Sequence, residues 1–152
     1  DAGIFGRLEE EIGALRVAGL NYEIIPGVTS ACAAAAAAGI PLTRRHTSRR
    51  VQFITGADVN GQLPADLNFA ALADPDSTTV VYMGKRTFPA LAVKLIEHGL
   101  SPDTPALLAE SLGHADEKLA RVTIARLAEQ LAQGIGPATA VILFGALAGD
   151  ER

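Results

Sequence analysis

Tryptophan is absent from this 152-residue sequence, cysteine and methionine occur once each, and aromatic residues make up only 5%. So few rings leave no platform on which successive bases could stack, and a net charge of −4 argues further against a general nucleic-acid binder. The lone Cys32 excludes a disulfide framework within the chain and fits a reducing cytoplasm; set among alanines, it reads as a small buried filler. Three scattered histidines beside one cysteine give no metal-ligand spacing, so no metal is expected. No apolar run is long enough to span a bilayer, and no membrane partner is expected. The sequence shows no initiating Met, signal peptide or transit-like segment; it opens on Asp1-Ala2-Gly3-Ile4-Phe5-Gly6-Arg7, a ligand-type loop. Such an opening suggests the carboxy-terminal piece of a longer protein.

What is present is an ordinary globular composition, 49% hydrophobic and 20% charged, enough for one domain with a substantial core over residues 1–152. Leu8, Ile12 and Leu15 share one face of a first helix that Gly19 ends. Ile24 and Ile25 close a short β-type run over 22–25, and Pro26-Gly27 turns the chain. Thr29 or Ser30 is then a natural N-cap for a helix running through the alanines to Gly39. A strand entering a helix through a tight turn presents unpaired N–H groups at the helix start, which suits a polar ligand. The plain alternative is an unremarkable strand–turn–helix of the core.

Further strands are expected at 51–55, 78–82, 105–110, 117–123 and 139–144, with helices near 66–73, from Phe88 to His98-Gly99, and around Ile124, Leu127 and Leu131. This alternation predicts a three-layer α/β lobe on a mixed sheet of about five strands, with the neighbouring pair near 105–123 antiparallel. Asp1, Thr29-Ser30, Tyr82-Met83-Gly84, Glu110–Gly113 and Thr139-Ala140 all fall at or beside strand ends, where open α/β sheets gather their ligands.

Several of these segments carry a resemblance. Asp1–Arg7 with Glu10-Glu11 is similar to the Gly-Gly-Asp-Pro-x-x-x-Gly-Arg-x-x-Glu-Glu segment of the tetrapyrrole methyltransferases. Pro26-Gly27-Val28-Thr29-Ser30 resembles their Pro-Gly-Ile-Thr turn, Gly39–Thr43 their Gly-Ile-Pro-Leu-Thr, Val51–Gly56 their Val-x-Phe-Val-Thr-Gly, and Tyr82-Met83-Gly84 their Tyr-Met-Gly. Order and spacing match throughout and point to the branch that methylates uroporphyrinogen III, free-standing or as the methylase part of siroheme synthase. Departures exist: Ala2 replaces the usual proline, Leu8-Glu9 the usual Gly-Gly, Glu110-Ser-Leu-Gly113 the usual Glu-Asn-Gly-Thr, and Thr139 stands where proline is common.

The resemblance implies a two-lobed, cytoplasmic, homodimeric enzyme binding S-adenosylmethionine in the cleft between lobes, of which this chain is the second, the amino-terminal lobe being missing. By matching position, the cofactor contacts are Asp1, Ile4, Thr29, Ser30, Met83, the Leu112 region, Thr139 and Ala140. Each has a plainer reading: Asp1 as a loop residue, Met83 as core filler, Ala140 as ordinary sheet. Uroporphyrinogen carries eight carboxylates, so cations are needed on the substrate side. Arg7 offers a planar fork, and the basic run Arg44-Arg45-His46-Thr47-Ser48-Arg49-Arg50 offers density, with Arg44, Arg45 and Arg49 as candidates and a solvated loop as the alternative. Lys85 and Arg86 are weaker candidates. The implied reaction is double methylation to precorrin-2, with S-adenosylhomocysteine as co-product; no catalytic residue is assigned. Alternatives are a sibling methylase acting on another corrinoid precursor or on a non-tetrapyrrole target, or a non-catalytic α/β dimerisation lobe.

Overall fold

The run Ser77–Tyr82, β-branched at four of its six positions, is fully buried and forms strand β2 at the heart of one five-stranded sheet. The computed structural model describes residues 1–150. Around β2 the spatial order is β1 (Arg50–Thr55), β2, β5 (Ala140–Phe144), β3 (Pro105–Glu110), β4 (Lys118–Thr123). β1 pairs in parallel with β2, and the other neighbours are antiparallel, Tyr82 standing opposite Val141 and Glu110 opposite Ala140. The expected mixed sheet is therefore formed, including the antiparallel β3–β4 pair. Its three central strands are buried and its two edge strands only partly so.

Helices cover both faces. One face carries Val81, Ala106, Leu108, Ile142 and Phe144 and packs against α3 (Phe69–Leu72), α4 (Phe88–Glu97) and α5 (Ile124–Gln133). The other carries Val80, Tyr82, Leu107, Ala109, Val141 and Leu143 beneath α2 (Ser30–Ala38). Successive residues along each strand thus serve opposite layers, and residues two apart the same one, as the pleat requires. In α2 only Ala31, Ala34, Ala35 and Ala38 reach the sheet. Cys32 lies a helical step away and is exposed, so it is not the buried filler its neighbours suggested.

Three helices end alike. Gly19, Gly39 and Gly99 adopt left-handed φ, and the next residue donates back across the last turn: Leu20 to Leu15, Ile40 to Ala35, Leu100 to Leu95, each at 3.0 Å. This is the Schellman closure, in which the residue after glycine is apolar and packs. Ile40 and Leu100 are buried accordingly, whereas Leu20 is 58% exposed. Helix α1 (Leu8–Val17) buries no residue at all. The expected strand at 22–25 is not formed either: residues 20–29 run without regular structure, and Ile24 and Ile25 are exposed. The apolar signal there was real, but a strand needs neighbours, and none of the described strands lies alongside it.

Candidate functional site at one rim of the sheet

Because β1, β2 and β3 run the same way and β5 runs against them, Thr55-Gly56, Tyr82–Gly84, Glu110–Leu112 and Thr139-Ala140 meet along one rim. Two non-glycine residues there are left-handed, Met83 at φ 55° and Ser111 at φ 50°. Such conformations cost free energy and persist where the surroundings impose them, commonly beside a ligand site. Crowding explains part of it. A Cβ on Gly56 would stand 2.5 Å from Gly84 Cα, and one on Gly84 would stand 2.6 Å from Val81 Cγ1, so the turn after β2 lies backbone-to-backbone against the end of β1. The Ser111 amide donates to the Thr139 carbonyl at 3.0 Å, and its hydroxyl donates to Asp116 Oδ2 at 2.9 Å.

Thr29 occupies the N-cap position of α2, but its side chain does not cap the helix. Its hydroxyl meets the Tyr82 phenol at 2.5 Å, and that phenol accepts the Ala31 N–H at 3.2 Å. A tyrosine from the central strand therefore closes the helix start in place of the expected threonine. The Tyr82 ring also meets Phe5 at 5.1 Å and Phe53 at 5.9 Å between centroids. This brings the opening loop to the rim. Ile4 packs against the α2-side core, and Asp1 accepts N–H bonds from Gly3 at 2.7 Å and Gly27 at 3.0 Å. Both Asp1 oxygens keep a second lone pair for a further donor.

Two cavities open on the rim. One, ≈ 130 Å³, is lined by Ser30, Ala109, Leu112, Thr139, Ala140 and Val141. The other, ≈ 450 Å³, includes Met83, Lys85, Arg86, Pro137 and again Thr139 and Ala140. The expected cofactor residues Ser30, Leu112, Thr139 and Ala140 thus share one cavity, and Met83 joins the last two in its neighbour. Met83 is 54% exposed, so it is not core filler.

The cations are distributed differently. Arg7 forks onto Glu10, Nε to Oε1 at 2.9 Å and Nη2 to Oε2 at 2.5 Å, both side chains being exposed. This hydrogen bonding raises the Arg7 pKa above its usual value and lowers that of Glu10. Arg7 lines a cavity of ≈ 580 Å³ between the opening loop and α1. Arg44, Arg45 and Arg49 are not brought to the rim. They sit on a turn closed by the Arg44–Ser48 bridge, just before β1 begins, at the opposite end of the sheet. There Arg44 is paired with Asp150, and Arg49 reaches His46 Nδ1 at 3.4 Å. Lys85, a weaker candidate for substrate carboxylates, is instead held by Glu110 Oε1 at 2.6 Å. Sequence reasoning missed the Tyr82 phenol and this ion pair; Tyr82 and Glu110 were quoted only as parts of motifs, and Lys85 only as a weaker candidate for the substrate side. Among the described residues, no group of His, Cys, Asp and Glu could hold a metal ion, and no helix is long and apolar enough to cross a membrane.

A mixed α/β layer with convergent strand ends, a strained rim and a helix start beside it has the features of a small polar ligand's binding edge. Comparison with known proteins narrows this. The model for "Tetrapyrrole (Corrin/Porphyrin) Methylases" matches residues 1–128, and the chain belongs to that family. It is 37% identical to the siroheme synthase of Methylococcus capsulatus over 152 residues, all of this chain but 32% of that protein. It is 46% identical to the S-adenosyl-L-methionine-dependent uroporphyrinogen III methyltransferase of Arabidopsis thaliana over 110 residues, 72% of this chain and 30% of that one. Among solved structures, cobalt precorrin-4 methyltransferase superposes with TM-score 0.85 at 31% identity, over 99% of this chain and 62% of its own. Uroporphyrin-III C-methyltransferase of Thermus thermophilus, complexed with S-adenosylhomocysteine, gives 0.79 at 29%, over 96% and 62%. The chain therefore spans about a third of the curated relatives it matches and under two thirds of these solved ones.

Proposed function

We propose that this chain is the carboxy-terminal lobe of a cytoplasmic, homodimeric S-adenosylmethionine-dependent methyltransferase that converts uroporphyrinogen III to precorrin-2. The observation that carries the reading is the shared rim: Ser30, Leu112, Thr139 and Ala140 around one cavity, continuous through Thr139-Ala140 with Met83 in the next. These residues suit the group. Met83 offers a soft, conformable thioether contact, Ser30 a hydroxyl at a helix start, and Ala140 a wall without bulk. Asp1 contributes its remaining lone pairs toward an ammonium or ribose hydroxyl. When bound, the cofactor supplies an electrophilic methyl group, and the electron-rich tetrapyrrole carbon is the nucleophile. The lobe's part is to hold and align.

The other half of the cleft comes from an amino-terminal lobe. Helix α1 without a buried residue, the unpaired stretch 20–29, and exposed Val17, Leu20, Ile24, Ile25 and Val28 form the apolar surface it covers. Arg7 lies beside this surface and is the substrate-side cation the geometry favours, a substrate carboxylate replacing Glu10 on its fork. Arg44, Arg45 and Arg49 reach a tetrapyrrole only across a homodimer, since they stand at the far end of their own sheet.

A second reading, a methylase for a later corrinoid precursor, draws on the superposition with cobalt precorrin-4 methyltransferase at TM-score 0.85. Turnover by the full-length enzyme with each substrate separates the two, and methylation of uroporphyrinogen III is the expected result. Calorimetry with S-adenosylhomocysteine tests the site itself. Ala140→Leu, which adds bulk at the wall the two cavities share, is expected to weaken binding at least tenfold in folded protein; unchanged affinity rejects the rim.

A further inference from the structure

Lys85 lies two residues after the strained Met83, yet its ammonium points away from solvent, the side chain being 11% exposed. Its Nζ donates to Glu110 Oε1 at 2.6 Å and to the Ala138 carbonyl at 3.0 Å. One cation thus joins three pieces of the rim: the turn after β2, the end of β3, and the connection from α5 into β5. That connection spans residues 134–139. It contains Gly134 and a left-handed Gly136, has no regular structure, and includes Pro137, which has no N–H to donate. Its ties to neighbouring strands run through the Lys85–Ala138 bond and the Ser111–Thr139 bond. The ≈ 450 Å³ cavity has Met83, Lys85 and Arg86 on one side and Pro137 to Ala140 on the other, so Lys85 spans its two walls.

Resting on the methyltransferase reading above, we infer that Lys85 and Glu110 are positioning residues for cofactor binding: the ammonium clamp sets the separation of Met83 from Thr139-Ala140. A buried cation with one carboxylate and one carbonyl is well satisfied only while both stay in place, and removing it leaves Glu110, 23% exposed, without its counter-charge. The clamp touches neither the Arg7 cavity nor the apolar face of α1, so tetrapyrrole recognition should not sense it.

The test uses the full-length enzyme and calorimetry with S-adenosylhomocysteine, alongside KM for uroporphyrinogen III. Lys85→Met is expected to raise the S-adenosylhomocysteine Kd at least tenfold while leaving the tetrapyrrole KM within twofold. Glu110→Gln should move Kd in the same direction. Lys85→Met/Glu110→Gln, which leaves no unpaired charge, keeps the test open should either single variant fold poorly. The double variant should bind about as weakly as Lys85→Met alone, and Lys85→Arg should recover most of the lost affinity. A merely structural pair would lower the melting temperature yet leave Kd within twofold in the folded double variant, and that result overturns the inference. Equal loss toward cofactor and tetrapyrrole overturns it too. Wild-type enzyme that does not bind S-adenosylhomocysteine would sink the methyltransferase reading itself, and the clamp with it.

Discussion

Tyr82→Phe removes a single oxygen from the junction between the central strand and α2. The ring keeps its contacts to Phe5 and Phe53, at 5.1 and 5.9 Å, so apolar burial is unchanged and the hydroxyl alone is tested. That hydroxyl bonds Thr29 Oγ1 at 2.5 Å and accepts the buried Ala31 N–H at 3.2 Å. A neutral hydrogen bond contributes about 1 kcal/mol net, and a buried donor left without a partner costs about 1–3 kcal/mol. Loss of a helix N-cap, an independent route to the same quantity, costs roughly 1 kcal/mol. Together these give about 2 kcal/mol, or a melting temperature lower by roughly 4–8 °C for a domain of this size. Thermal and urea unfolding followed by circular dichroism measure it. Thr29→Val should cost less alone, and the pair should couple by at least about 0.5 kcal/mol, since the two hydroxyls share one bond. A Tyr82→Phe shift below about 1 °C, or simple additivity, would refute the idea that this phenol closes α2.

Arg7→Ala in the full-length enzyme should raise the KM for uroporphyrinogen III roughly tenfold, the order expected when a forked carboxylate contact is lost, and leave S-adenosylhomocysteine affinity nearly intact. Equal loss of both would make Arg7 structural. Asp58 takes N–H bonds from Gln62 and Asn60, both at 2.8 Å on Oδ1, and these hold its pKa below the usual 3.8, the Gln62 bond first. Because the folded value is depressed, its contribution is complete above 3.8, the unfolded value, and is lost as pH falls through the folded one. An NMR titration of the Asp58 carboxyl should show a midpoint under 3.8, with the Gln62 amide moving in step; a midpoint at or above 3.8 contradicts the turn geometry.

The parts of the molecule legible in the sequence are those whose signal is local. Ser77–Tyr82 announces a central strand through its β-branched run, and Gly19, Gly39 and Gly99 mark helix ends because the Schellman turn needs a left-handed residue there. Strand ends carrying Met83, Glu110 and Ala140 could be assigned to one rim because strand direction follows from the α/β alternation. Signals that depend on distant partners were not legible. Ile24-Ile25 reads as a strand, yet pairing is a property of two segments, and none of the described strands pairs with it. A helix of alanines broken only by Ser30 and Cys32 carries no amphipathic pattern, so nothing showed that Cys32 would face outward while Ala31 and Ala34 faced the sheet. The Tyr82–Thr29 and Lys85–Glu110 contacts cross 53 and 25 residues. The charge of Arg44–Arg50 was visible, but composition does not say at which end of a sheet a loop will lie.

A crystal structure of the full-length enzyme with S-adenosylhomocysteine tests the central claim most directly. The ligand should lie against Met83 and Ala140, with Ser30 and Leu112 within contact distance and the proposed amino-terminal lobe closing over α1 and residues 20–29. Ligand bound at the Arg44–Arg50 end of the sheet, or clear of Thr139-Ala140 altogether, would contradict it.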